Sequence, residues 1–167
     1  MNIVGQRIRI LIVDDDSLMR RSLVRLLSAE NAYEVAGEAE NGQDAISLVR
    51  KLKPDVVVMD VRMPVMDGLE ATRLLRVEYP ELIVIGNSAY CERDIRDQMM
   101  NAGANDLVYK VFNGDELLKT IQRHIRAPQP QSAPEDCRSP VDSESSIFVP
   151  AEGGNRVRPT LRAYFSL

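Results

Sequence analysis

The sequence predicts an α/β domain, a five-stranded parallel sheet with helices on both faces in a (βα)5 arrangement, followed by a disordered C-terminal tail. Three observations carry this expectation. Short apolar runs rich in β-branched residues recur along the first three quarters of the chain, each too short for a helix. Amphipathic segments of helical length separate them, and strands joined by such crossovers pair in parallel with right-handed connections. From Ala127 the texture changes: Pro128, Pro130, Pro134, Pro140, Pro150 and Pro159 are six of the nine prolines, with Gln, Ser, Glu and Gly between them. Such a composition buries too little apolar surface to offset the entropy of ordering. The expected division is therefore a domain over 1–126 and a Pro/Ser-rich tail over 127–167, whose end from Leu161 to Leu167 is weakly apolar.

The elements follow in order. Arg7 to Asp14 is a first strand that stops at Asp14-Asp15-Asp16. Ser17 is a candidate cap for a helix with Leu18, Leu23, Leu26 and Leu27 on one stripe and Arg20, Arg21 and Arg25 mostly opposite. Tyr33 to Ala39 is a second strand, and Asn41-Gly42 opens a helix to Leu52 that Lys53-Pro54 stops. The central strand, Val56 to Asp60, is a buried run that ends on a carboxylate. A shaped loop follows, with Met63-Pro64 breaking the chain and Asp67-Gly68 turning into a helix that reaches Glu78. Leu82 to Ile85 is the fourth strand, with Gly86 to Ala89 as a turn. A helix from Glu92 to Asn101 ends before Gly103, Leu107 to Val111 is the fifth strand, and Asn113-Gly114-Asp115 begins a final helix with Leu117, Leu118, Ile121 and Ile125 on one face.

Composition narrows the function classes. The 167 residues are 44% hydrophobic with a net charge of −4. Basic residues number 17 against 20 acidic before Ala127, and 4 against 5 after it, so neither part is a cationic nucleic-acid surface. No apolar run approaches the roughly 20 residues of a membrane span, and the expected location is the cytoplasm. Cys91 and Cys137 make neither a metal cluster nor a disulfide framework and read as reduced thiols.

The chemistry lies in the acids. Strand-end Asp14, Asp15 and Asp60 meet at one carboxyl-end crevice of a parallel sheet, where open α/β folds keep their ligands. Two like charges 4 Å apart repel by about 4 kcal/mol at an effective dielectric near 20, so a cation belongs there. Lys110, at the end of the fifth strand, is one candidate. Oxygen-only ligands suit a hard dication, Mg²⁺ or Mn²⁺. A carboxylate held this way can attack phosphorus to give an acyl phosphate, with Lys110 and the Ser88 hydroxyl holding the phosphoryl oxygens. No glycine-rich phosphate loop exists for a nucleoside triphosphate, so the phosphoryl group must come from a donor. By contrast, Asp16 reads as a solvated loop acid, Asp67 as a turn residue, and His124 as a helix-end cation.

Ile-Leu-Ile-Val-Asp14-Asp15-Asp16, Val-Val-Val-Met-Asp60-Val-Arg-Met-Pro64-Val-Met-Asp-Gly68, Ser88-Ala89-Tyr90, Ala-Gly-Ala104 and Lys110 together resemble the receiver domain of two-component response regulators, over about Arg7 to Arg126. The resemblance implies a flavodoxin-like fold and transfer of a phosphoryl group from a histidine kinase or phosphotransfer protein to Asp60. It further implies Mg²⁺ held by Asp14 or Asp15, Asp60 and the backbone carbonyl of Arg62, followed by slow self-hydrolysis. Output would pass by protein contact through the face of the fourth helix, fifth strand and fifth helix, to a downstream protein target or a second copy of the chain. Two positions depart from the family pattern: Val111 stands where a proline usually follows the lysine, and Leu107 stands at the aromatic switch position, with Tyr109 two residues on. Tyr90 and Arg62 occupy positions that tune phosphorylation and hydrolysis rates in the family. Two other readings compete: a receiver-fold interaction module without phosphotransfer, and a phosphatase with an aspartate nucleophile in the Asp14-Asp15-Asp16 run, which lacks a cap-sized insertion.

Overall fold

Alternation of buried strands and half-apolar helices is realised as five βα units. A computed structural model of the chain describes residues 7–89, 93–110 and 114–126. The elements are β1 (Ile8–Val13), α1 (Ser17–Ser28), β2 (Tyr33–Ala39), α2 (Gly42–Leu52), β3 (Val56–Asp60), α3 (Gly68–Glu78), β4 (Ile83–Ser88), α4 (Arg93–Asn101), β5 (Asp106–Tyr109) and α5 (Asp115–Arg126). The strands pair in parallel in the order β2-β1-β3-β4-β5, so β3 is central and β5 is an edge. All described residues lie within one compact unit. The expected tail from Ala127, the cysteines Cys91 and Cys137, Tyr90 and Val111 fall outside the described residues.

Two cores sandwich the sheet, one on each face. Leu11, Val13, Val57, Met59, Val84 and Leu107 point towards α2, α3 and α4, while Ile10, Ile12, Val56, Val58, Ile85 and Val108 point towards α1 and α5. Alternation along β3 explains why it reads as a continuous apolar run: every residue is buried, whichever face it takes. Asn41 caps α2 by accepting from the Asp44 amide at 2.9 Å, and Asp67 caps α3 by accepting from the Glu70 amide at 2.8 Å. Asp67 is thus a helix cap as well as a turn residue. Gly68 is required behind it, since a Cβ there would lie 1.9 Å from the Asp60 carbonyl oxygen.

Three expectations need correction. The cap of α1 is Asp16 and not Ser17; its carboxylate accepts from the amides of Leu18 at 2.8 Å and Met19 at 3.4 Å. Along this helix Leu18 faces outward, 69% exposed, and Arg20 is buried. Secondly, β4 runs on through Gly86, Asn87 and Ser88 instead of turning at Gly86. Gly86 is a strand glycine there because a Cβ would sit 2.6 Å from Leu107 Cδ1 and 2.9 Å from Met99 Cγ. Thirdly, β5 begins at Asp106, one residue before the expected start, and its expected end at Val111 lies outside the described residues.

Candidate functional site

The strand ends bring the acids together. Asp60 is the last residue of β3 and pairs in register with Asn87, while Val13, just before Asp14, pairs with Met59. Asp14 is fully buried, Asp60 is 7% exposed and Asp15 is exposed. One carboxylate oxygen from each of Asp14, Asp15 and Asp60 falls within 4.8 Å of the others. The convergence expected from sequence is therefore present.

Lys110 enters this cluster from the far side. Its Nζ donates to Asp60 Oδ2 at 2.8 Å. It also lies 2.7 Å from Asp14 Oδ2, an ion contact whose direction leaves that oxygen without a well-formed hydrogen bond. The Lys110 amide donates to the Ser88 carbonyl at 2.7 Å, and Ser88 pairs in register with Tyr109, so the hydroxyl residue and the lysine are fixed to one another by backbone. Ser88 is buried, as is the preceding Asn87, which pairs with Asp60. Arg62 sits exposed in the loop two residues beyond Asp60.

Burial pushes the Asp60 carboxyl above its ordinary value; the Lys110 hydrogen bond and charge oppose this, and the neighbouring Asp14 charge adds to the rise. For Lys110, burial alone would lower the ammonium's pKa, but the close carboxylates of Asp14 and Asp60 outweigh it and the net direction is upward. One ammonium against three carboxylates leaves the rim short of positive charge. A hard dication fits this donor set: three carboxylates converge, and the poorly satisfied Asp14 Oδ2 points an acceptor into the cluster.

Sequence reasoning missed Arg20. Its guanidinium donates to the Asp14 carbonyl at 2.7 Å and the Asp15 carbonyl at 3.3 Å, and it pairs with Glu40 at 2.6 Å and Glu38 at 3.6 Å. It thus fastens the backbone of the acidic turn from beneath. The signal available was Glu38 and Glu40 at the end of β2, which place two acids beside β1 for a helix cation to reach. Asp16, in turn, spends its carboxylate on capping α1 and lies outside the converging trio. His124 lies in the last turn of α5, as expected, with its Nε2 3.3 Å from Asp106 Oδ2.

The family described as the response regulator receiver domain matches residues 10–122. Among curated proteins, the chain is 39% identical over 129 residues to the response regulator GacA of Pseudomonas aeruginosa, covering 77% of this chain and 59% of that protein. The chain spans about half the length of the curated relatives it matches. Among solved structures, the response regulator domain of Thermotoga maritima CheB superposes with a TM-score of 0.68 at 30% identity, covering 74% of this chain and all of that one. The BeF3-activated DrrB receiver domain superposes with a TM-score of 0.64 at 26% identity, covering 73% and 100%.

Proposed function

The chain belongs to the response regulator receiver family, the phosphoacceptor module of two-component systems, and from that premise we propose that Asp60 is its phosphoacceptor. The observation that carries this is Asp60 at the sheet's carboxyl edge, buried, bonded to Lys110 and sharing a charge-deficient rim with Asp14 and Asp15. A carboxylate oxygen of Asp60 attacks phosphorus of a phosphohistidine donor; the new P–O bond forms as the P–N bond breaks and the imidazole leaves. Lys110 holds a cation beside the incoming oxyanion, and the Ser88 hydroxyl donates to a phosphoryl oxygen. Asp14, Asp15, Asp60 and the Arg62 backbone carbonyl would hold Mg²⁺, which would supply charge neutralisation on the transferring group.

The receiver domain is assigned to residues 1–126, with residues 127–167 outside it. Phosphoryl groups arrive from a sensor histidine kinase or phosphotransfer protein, and output passes by protein contact to a downstream target or a second copy through the last-helix face, in the cytoplasm. No helix among the described residues is long and apolar enough to cross a membrane. The test is incubation of the full chain with a small-molecule phosphoryl donor and Mg²⁺. One phosphoryl mass increment is expected on the wild type and none on Asp60→Asn. Failure of the wild type to gain it, together with indifference to beryllofluoride, would leave only the interaction-module reading.

A further inference from the structure

Asp106 is a third buried carboxylate, 8% exposed, and lies away from the acidic rim at the start of the edge strand β5. Both of its oxygens are engaged. Oδ1 accepts from Arg96 Nη2 of α4 at 2.7 Å and from the Leu107 amide at 2.8 Å. Oδ2 accepts from Arg123 Nη1 of α5 at 3.3 Å and lies 3.3 Å from His124 Nε2. Arg96 also donates from Nη1 to the Leu107 carbonyl at 3.0 Å, so α4 is pinned to the strand at two points.

The topology makes this meeting unusual. The apolar sides of α4 and α5 belong to opposite cores: Ile95 and Met99 pack with Leu107, whereas Leu117 and Ile121 pack with Val108. Only round the free edge of β5 can a side chain from each face reach one carboxylate. Moreover α4 is thinly anchored, a nine-residue helix that buries Ile95 and Met99. A charged hydrogen bond at a mostly buried site therefore adds to its hold.

We propose that Asp106 is an edge joint that couples α4 to α5 across the sheet. The two helices share one carboxylate, with the shorter bond on the α4 side and the longer pair on the α5 side. Withdrawal of Arg96 lets the carboxylate settle on Arg123 and His124, and removal of Arg123 lets it settle on Arg96. A displacement of either helix is thereby felt by the other. The coupling stands whether or not the rim takes a phosphoryl group.

Amide hydrogen exchange on the full chain tests this without magnesium or donor, comparing wild type, Arg96→Ala, Arg123→Ala, the double variant and Asp106→Asn. Each single variant is expected to change exchange in the other helix by roughly threefold to tenfold, with α2 near the opposite edge unchanged. The double variant should change exchange by less than the two single variants combined, because both arginines bear on one carboxylate, and Asp106→Asn should reproduce the cross-helix effects while the Arg96 bond to the Leu107 carbonyl stays in place. Effects confined to the helix that carries the substitution, effects that simply add, or uniform acceleration that includes α2 would each overturn the joint. Should Asp106→Asn fail to fold, the two arginine variants and their combination decide the matter alone.

Discussion

Asp60 and Asp106 are buried to nearly the same degree, 7% and 8% exposed, yet their surroundings are opposite. Asp60 shares a single ammonium with Asp14, and Asp15 adds a further negative charge. Asp106 is met by two guanidiniums and an imidazole. A carboxylate with surplus cations has its charge spent on geometry, and it joins elements. A carboxylate short of cations is a standing demand for more positive charge, which a cation from solution can meet. Depth of burial does not separate the two roles; the local charge balance does.

The hardest test of this contrast is to remove one cation from each. Lys110→Ala leaves Asp14 and Asp60 buried together without their shared ammonium, and should cost about 3–5 kcal/mol in urea unfolding at neutral pH. Arg123→Ala leaves Arg96 and His124 on Asp106 and should cost under about 1 kcal/mol. Equal losses would abolish the distinction. The Lys110→Ala deficit should also shrink in acid, where the carboxylates are protonated, and on addition of Mg²⁺. In the wild type, Lys110 has a raised folded pKa, so its contribution is complete below the unfolded lysine value of 10.5 and is lost as pH climbs through the folded one.

Next in size is Arg20→Ala. The substitution removes two charge-assisted bonds to the Asp14 and Asp15 carbonyls. A loss of about 2 kcal/mol is expected in denaturant, together with weaker Mg²⁺ affinity by calorimetry, because the acidic turn is no longer held. An unchanged affinity would mean that the turn keeps its shape unaided.

Asp60→Asn should go the other way. The folded pKa of Asp60 is raised, mainly by burial. Its favourable contribution is present below the ordinary carboxylate value of 3.8 and is lost as pH rises through the folded value, so at neutral pH the ionised group weighs against the fold. The variant keeps Asp14 as a partner for Lys110. It should gain about 1–2 kcal/mol at pH 7, with the gain vanishing near pH 3. A loss of stability at neutral pH would mean that the rim is balanced after all.

What could be read from the sequence follows the same division. Strands and the acid rim were legible because buried runs ending in Asp14 and Asp60 combine period, punctuation and charge in a few adjacent residues. Lys110 and Ser88 were legible through the family pattern, although Ser88 was placed in a turn; β4 continues to it because Gly86 lets Leu107 and Met99 close over the strand. The Asp106 joint was not legible. Its partners are 10, 17 and 18 residues away on two helices that pack on opposite faces, and each reads singly as an ordinary surface charge. Arg20 was missed for a related reason: its acidic partners Glu38 and Glu40 lie beyond α1 in the chain, and alone it reads as an ordinary surface charge.

Backbone strain sharpens the contrast once more, at the smallest scale. Val65, in the loop beside the rim, has φ of 70° although it is β-branched and not glycine, whereas Asp106 and its neighbours in β5 are ordinary extended strand. The left-handed region costs such a residue about 1–2 kcal/mol, and a side chain 79% exposed recovers little by burial. Val65→Gly removes the steric cost and returns roughly 0.5–1 kcal/mol of it as unfolded-state entropy. The net expectation is a gain of about 0.5–1 kcal/mol in urea unfolding. The same substitution frees the segment that leads from Arg62 to the Asp67 cap, so the rate of phosphoryl uptake from a small-molecule donor should change while amide exchange in α4 and α5 does not. A change in that exchange would show the strained loop and the edge joint to be one mechanical unit, against the separation of roles argued from their charge.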